Sequence, residues 1–330
     1  MQPVVLTRAI LTWYSSYSVN DDICLAIIQE MDLPTLVAWR AACRTTYLQS
    51  VRILKAELHG AVGVFVPCTH GLLRVLTECG AIIGGEFALS LLLRGDSFSP
   101  GRMDIFVNNS TFNLLMDRMR HSSAIAAHVD WTGSFSMTPA YAHTRDISRR
   151  ETFKTSRGRI IHVYEAFGVS PCSVLARSWC TALMNFVGEF SFGCAYPRLT
   201  FSKHALVSDL RVSTLADEEY VTMARLIEAG YDLVHEPTQL PAYIHRAIPD
   251  PPMGTFRCLA ELFICPDQGR HFGDRGAMVV FFDPLRGDSR NARVLAVAPF
   301  GVMAAWRMWS SQSCDGNCAQ QGGVVPRGMI

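Results

Sequence analysis

Ile82-Ile83-Gly84-Gly85-Glu86-Phe87-Ala88-Leu89, followed by Gly101-Arg102-Met103-Asp104-Ile105-Phe106, is the stretch that decides how this chain reads. A short apolar run, Ala81 to Ile83, stops at two glycines, which predicts a strand feeding a turn. Phe87 to Leu93 then continues as a helix, and Met103 to Val107 is again rich in strand-forming side chains. Alternate strand residues share a face, so Arg102 and Asp104 point to the same side. Two carboxylates at that spacing would face one site together, an arrangement that suits a divalent cation. Here the first of the two positions carries a guanidinium.

This order of elements resembles the nucleotidyltransferase fold, in which a strand ends in paired glycines and a second strand presents Asp-x-Asp. The resemblance implies a magnesium–nucleoside triphosphate site built on Gly84, Gly85 and Asp104. It also implies a third carboxylate from a later strand, where Ile160-Ile161-His162-Val163 offers His162, with Glu165 just beyond. Arg102 would repel the metal and pair with Asp104, and without metal phosphoryl transfer loses its main electrostatic stabiliser. The expectation is a degenerate site at Gly84, Gly85, Arg102, Asp104, His162 and Glu165, with no catalytic residue and no cofactor. The alternative keeps magnesium and a nucleoside triphosphate. A plainer reading makes Gly84-Gly85 a turn and Asp104 a surface strand residue.

Outward from this centre, Ser110 is placed to cap a helix carrying Phe112, Leu115, Met116 and Met119. Glu151 to Lys154 and Arg159 to Tyr164 predict a hairpin about Ser156-Arg157-Gly158. Pro171 opens a predicted helix through Trp179, Met184 and Phe186. Another runs from Ala216 to Ala229, with Asp217, Glu218 and Glu219 in its first turn, where the helix dipole favours acids. Beyond it, Pro237, Pro241, Pro249, Pro251 and Pro252 interrupt the chain, while Met278 to Phe282 and Ala292 to Val297 look like strands.

Before the centre, Asn20 and Asp21 are good caps, and Ile23, Ile27, Ile28 and Met31 follow at helical spacing. Leu33-Pro34-Thr35 restarts the chain, since proline is tolerated in a first helical turn. Leu36, Trp39 and Cys43 mark a second apolar stripe; Tyr47, Val51, Leu54 and Leu58 mark a third that ends at Gly60. The core Ile27-Ile28-Gln29-Glu30-Met31-Asp32-Leu33-Pro34-Thr35-Leu36-Val37-Ala38-Trp39-Arg40 resembles the F-box and F-box-like motif. It departs from the family at Asn20-Asp21-Asp22-Ile23, where a Leu-Pro pair is usual. The resemblance implies a Skp-type adaptor of an SCF ubiquitin ligase, docked on Ile28, Leu33, Pro34 and Leu36, and a protein client held elsewhere. The alternative is a helical cap packed on its own protein.

Arg177 to Phe186, Ala195 to Thr200, Cys265-Pro266, Phe272-Gly273-Asp274 and Trp306-Arg307 resemble the matching regions of uncharacterised proteins of mushroom-forming fungi. Those combine an F-box-like N-terminus with a nucleotidyltransferase-like centre, and the resemblance implies no activity of its own. The expected class is α+β: a helical cluster over 1–60, a mixed sheet with flanking helices over 61–230, and an irregular β-rich extension over 231–330 with a poorly ordered tail.

Composition excludes other classes. With 49% apolar and 18% charged residues, the chain has enough apolar surface to fold rather than stay disordered. A net charge of +1 without a basic stripe argues against a nucleic-acid partner. Arg8 sits inside a broken apolar run rather than before one, so no signal peptide is expected. Val294 to Trp306 falls short of the ~20 residues of a membrane span. Eleven cysteines, an odd number, fit reduced thiols in the cytoplasm or nucleus. Cys258, Cys265, Cys314 and Cys318 are weak zinc candidates: the Cys314/Cys318 spacing suits a ligand pair, the Cys258/Cys265 spacing does not, and buried core cysteines explain them as well. Lys203 and His204 would be phosphate contacts if they faced the cleft, and surface residues otherwise.

Overall fold

The computed structural model describes residues 21–94, 98–130, 147–168, 170–208, 215–240, 262–265, 268–282 and 306. It opens with helices α1 (Asp21–Gln29), α2 (Leu33–Arg40), α3 (Arg44–Phe65) and α4 (Thr69–Glu78). Pro34 lies in the first turn of α2, and the Asp32 side chain accepts from the Thr35 amide at 2.8 Å. Proline has no amide to orphan there, and the cap satisfies one of the remaining donors. Helix α3 runs through Gly60, where the sequence predicts its end. Leu58, Val62 and Phe65 are all buried at helical spacing, and that burial outweighs the ~1 kcal/mol that a glycine costs inside a helix.

The chain continues through β1 (Ile82–Gly84), α5 (Gly85–Leu92), β2 (Arg102–Asn108), α6 (Asn109–His121), α7 (Ser123–Ala126) and β3 (Val129–Asp130). The predicted hairpin forms as β4 (Ile147–Thr155) and β5 (Ile160–Ala166). Asn108, not Ser110, caps α6: its side chain accepts from the Thr111 amide at 3.0 Å. Next come α8 (Cys172–Leu175), a 3-10 turn at Thr181–Leu183, β6 (Asn185–Val187), β7 (Ser191–Cys194), α9 (Pro197–Phe201), β8 (His204–Leu206), α10 (Asp217–Glu228), β9 (Asp232–Val234) and β10 (Met278–Phe281). The helix predicted from Pro171 through Phe186 is therefore only α8. Phe186 is a strand residue because β6 bonds to β1 on one side and β7 on the other. Its ring fills the space over Gly193, where a Cβ would lie 2.2 Å from it.

The main sheet has the order β10-β7-β6-β1-β2-β5-β4-β3. Every pairing in it is antiparallel except β2 with β5, so the fold is α+β with a mixed sheet. Strands β8 and β9 form a separate parallel pair. Strand alternation divides the residues between two faces. Ile83, Met103, Ile105, Val107, Ile161 and Val163 join the core shared with α1 to α6. Ile82, Phe106, Tyr164 and Phe186 pack on the other face against α8, Phe272 and Trp306. A third cluster under α10 holds Leu89, Phe98, Trp179, Leu226 and Tyr231.

One apolar core runs from Ile28 to Phe282, so the N-terminal helices and the sheet share it. Ile28, Leu33 and Leu36 are 0–1% exposed and point into that core. This corrects their expected role as a docking face; of the four residues named for it, only Pro34 is exposed. Arg94 reinforces the arrangement. It pairs with Glu57 at 2.7 Å and donates to the carbonyls of Ile28 and Met31, at the end of α1 that favours a cation. Among the described residues no single helix is long and apolar enough to cross a membrane.

Candidate functional site

The two glycines prove to be packing residues. A Cβ on Gly84 would lie 2.4 Å from Leu175 and 2.7 Å from Phe106. Gly85 opens α5 at φ +63°, and a Cβ there would lie 2.9 Å from Oδ2 of Asp104. Only glycine meets that backbone conformation without strain while leaving the carboxylate its room. Asp104 is buried at 4% exposure, so it is not a surface strand residue.

Strand pairing sets the rest. The parallel β2–β5 register places His162 beside Asp104, and the β4–β5 register places Thr152 beside His162. The face carrying Asp104 and His162 therefore also carries Arg102, Arg150 and Thr152. Glu165, an odd number of residues beyond His162, falls on the opposite face, beside Val107 and Arg149. It is not part of the site, which corrects its expected place there.

Helix α10 covers this polar row with its acidic first turn. Arg102 Nε donates to Asp104 Oδ2 at 3.1 Å, Nη2 to Glu219 at 3.2 Å, and Nη1 lies 3.5 Å from Glu218. Arg150 Nη1 reaches both Glu218 oxygens at 3.2 Å. His162 Nε2 lies 3.5 Å from Glu218, and its Nδ1 is 2.9 Å from the Thr152 hydroxyl. Trp179 Nε1 donates to Glu219 at 2.5 Å. One turn further along α10, Glu86 accepts from Arg225 at 2.8 Å, from the Gly101 amide at 2.9 Å and from the Thr222 hydroxyl.

Burial disfavours the charged form of Arg102. Asp104, then Tyr164 and Glu219, more than offset that and hold its pKa above the usual arginine value. Glu218 moves the other way. Its hydrogen bond with His162 outweighs burial, Arg150 and Arg102 add to it, and its pKa is held down at about 2. A depressed carboxylate pKa stabilises the fold above the unfolded value, near 4.5, and that stability is lost as pH falls toward 2. The melting-temperature gap between wild type and Glu218→Gln is therefore expected to narrow as pH falls from 4.5 to 2. A gap independent of pH over that window would mean that the Glu218 charge is not what the site stabilises.

These donors do not fit magnesium. Asp104 Oδ2 is held by Arg102, and Glu218 and Glu219 are held by Arg102, Arg150 and Trp179. A divalent cation would have to enter between two guanidiniums that already neutralise those carboxylates. Among the described residues no three His, Cys, Asp or Glu side chains are arranged to hold a metal ion. Of the zinc candidates, Cys265 is buried in an apolar cluster, while Cys258, Cys314 and Cys318 lie outside the described residues, as does Ala292 to Val297. Lys203 donates to the Ala229 carbonyl at 2.9 Å, at the far end of α10, and His204 turns to Ser202 at 2.9 Å.

Of the residues named from the sequence, the structure brings Arg102, Asp104 and His162 together; Arg150, Trp179, Thr222, Arg225 and the partners of Glu86, Glu218 and Glu219 were not anticipated. One signal was available: an acidic helix start and a strand bearing Arg149-Arg150 are complementary in charge. Compared with protein-family models, curated proteins and solved structures, the chain matches none.

Proposed function

We propose that this chain is a non-catalytic protein-interaction protein on a degenerate nucleotidyltransferase-like sheet. In this reading it serves as an F-box-like substrate receptor that contacts a Skp-type adaptor and holds a protein client. The observation that carries the non-catalytic part is the Arg102–Asp104 bond at 3.1 Å, with Glu219 and Glu218 on the same guanidinium. That cation sits among the carboxylates on which a phosphoryl-transfer metal would depend. The runner-up, a nucleotide-binding protein using magnesium, draws on one observation: Asp104 Oδ1 is buried without a hydrogen-bond partner.

Because Ile28, Leu33 and Leu36 are buried, substituting them would damage the fold along with any interface. The outward face of α1 instead offers Ile23 and Ile27, which are 53% and 43% exposed and one helical turn apart. Ile23→Asp with Ile27→Asp is expected to abolish co-purification with a Skp-type adaptor while leaving the melting temperature within a few degrees. If wild type captures no adaptor, the receptor reading is lost. Calorimetry with a nucleoside triphosphate and magnesium is expected to give no heat beyond that of the nucleotide without magnesium. Heat that disappears in Asp104→Ala would replace this reading with the runner-up.

A further inference from the structure

We propose that Arg102, Arg150 and His162 form a cradle for a phosphoryl oxyanion, which Glu218 occupies from within the chain. This rests on the geometry of the polar face and not on the receptor reading. The three side chains project from neighbouring strands β2, β4 and β5, whose register fixes their spacing. They are nearly buried, at 12%, 7% and 5% exposure, whereas Glu218 is 40% exposed and comes from a helix end. All three approach one carboxylate, and Arg150 contacts both of its oxygens. Guanidinium groups take phosphoryl oxygens in the same manner as carboxylate oxygens.

The attachment of α10 does not depend on Glu218. Arg225 and Thr222 hold Glu86, Glu219 is held by Trp179 and Arg102, and Leu226 is fully buried. Glu218 can thus leave the cluster without undocking the helix. Of the other acidic groups that act on the cradle, Asp104 and Glu219 are already bonded to Arg102, and Glu86 is bonded to Arg225. A phosphoryl group entering beside Arg150 and His162 would replace one oxyanion with another that offers more acceptor oxygens and greater charge.

Inorganic phosphate is the probe, titrated calorimetrically into the full chain without magnesium, at constant ionic strength set by chloride. Wild type is expected to bind weakly, because Glu218 competes. Glu218→Gln keeps the shape, removes the competing charge, and is expected to bind about tenfold more tightly. Adding Arg150→Gln to Glu218→Gln is expected to remove the binding, with circular dichroism confirming that the double variant is folded. Adenosine monophosphate in the same titration identifies the source: tighter binding than phosphate assigns the cradle to a nucleotide, equal binding to a free phosphate. No gain in Glu218→Gln, or binding that survives Arg150→Gln, overturns the proposal. Should Glu218→Gln fail to fold, the wild-type melting temperature decides. A rise with phosphate over equal-strength chloride upholds the cradle, and no rise overturns it.

Discussion

Arg102→Ala is expected to cost the fold ~3–5 kcal/mol, the range for removing one partner of a buried ion pair. The guanidinium is 12% exposed and holds Asp104, which is 6% exposed at its side chain, and Glu219, which is 13% exposed. Removing it takes the guanidinium from two nearly buried carboxylates, of which Glu219 keeps the bond from Trp179. Asp104 already has one oxygen without a hydrogen-bond partner, so it has no donor in reserve. In urea the midpoint is expected to fall at unchanged slope, marking a loss of stability rather than a less compact state. Arg102→Met combined with Asp104→Leu is expected to recover part of the loss, because the Asp104 charge leaves with its partner while Glu219 keeps the bond from Trp179. A single-variant loss below ~1 kcal/mol would place the pair with solvent-screened surface bridges and mean that Arg102 does not hold the polar face together.

Arg270→Ala is expected to have an effect of the same size, ~3–5 kcal/mol. Arg270 is 1% exposed and bonds Asp274 at 2.6 and 3.1 Å, the Ala195 carbonyl at 2.9 Å, and the Phe263 carbonyl. Its guanidinium also lies 4.6 Å from the centre of the Tyr196 ring. Asp274 reports the same bonding: burial opposes its ionisation, yet the bond from Arg270 holds its pKa below the usual carboxylate value. The backbones of Arg270 and Trp306 exchange two hydrogen bonds of 2.9 Å, so the loss should spread to that contact. Tryptophan fluorescence and faster amide exchange over 268–282 are the measurements. Arg270→Lys is expected to rescue only in part, since an ammonium keeps the charge but not the planar fork. Full rescue by lysine would mean that charge alone is required.

Much of the fold was legible where local periodicity is strong. The hairpin about Ser156-Arg157-Gly158, the strand at Met103 to Val107 and the helix from Ala216 to Ala229 all form where hydrophobic spacing places them, with ends shifted by a few residues. The misses have a common cause. Ala182, Met184 and Phe186 are all buried, but Ala182 lies in the 3-10 turn, Met184 in no regular element and Phe186 in a strand, so no single helix face buries them. Ile28, Leu33 and Leu36 form an apolar stripe that looks the same in sequence whether it faces a partner or the core. The contacts with α3 and the sheet turned it inward.

The candidate site divides along the same line. That Arg102 and Asp104 share a face follows from the sequence itself, because the two-residue period of a strand is a property of its backbone. So does the presence of a guanidinium two residues before a carboxylate on that face. What the sequence could not determine is which distant groups arrive at that face. The parallel register of β2 and β5 brought His162 beside Asp104 and sent Glu165 away, and the docking of α10 brought Glu218 and Glu219 onto Arg102 and Arg150. Those encounters depend on closing long loops and burying surfaces far apart in the chain, and no local window of residues encodes them.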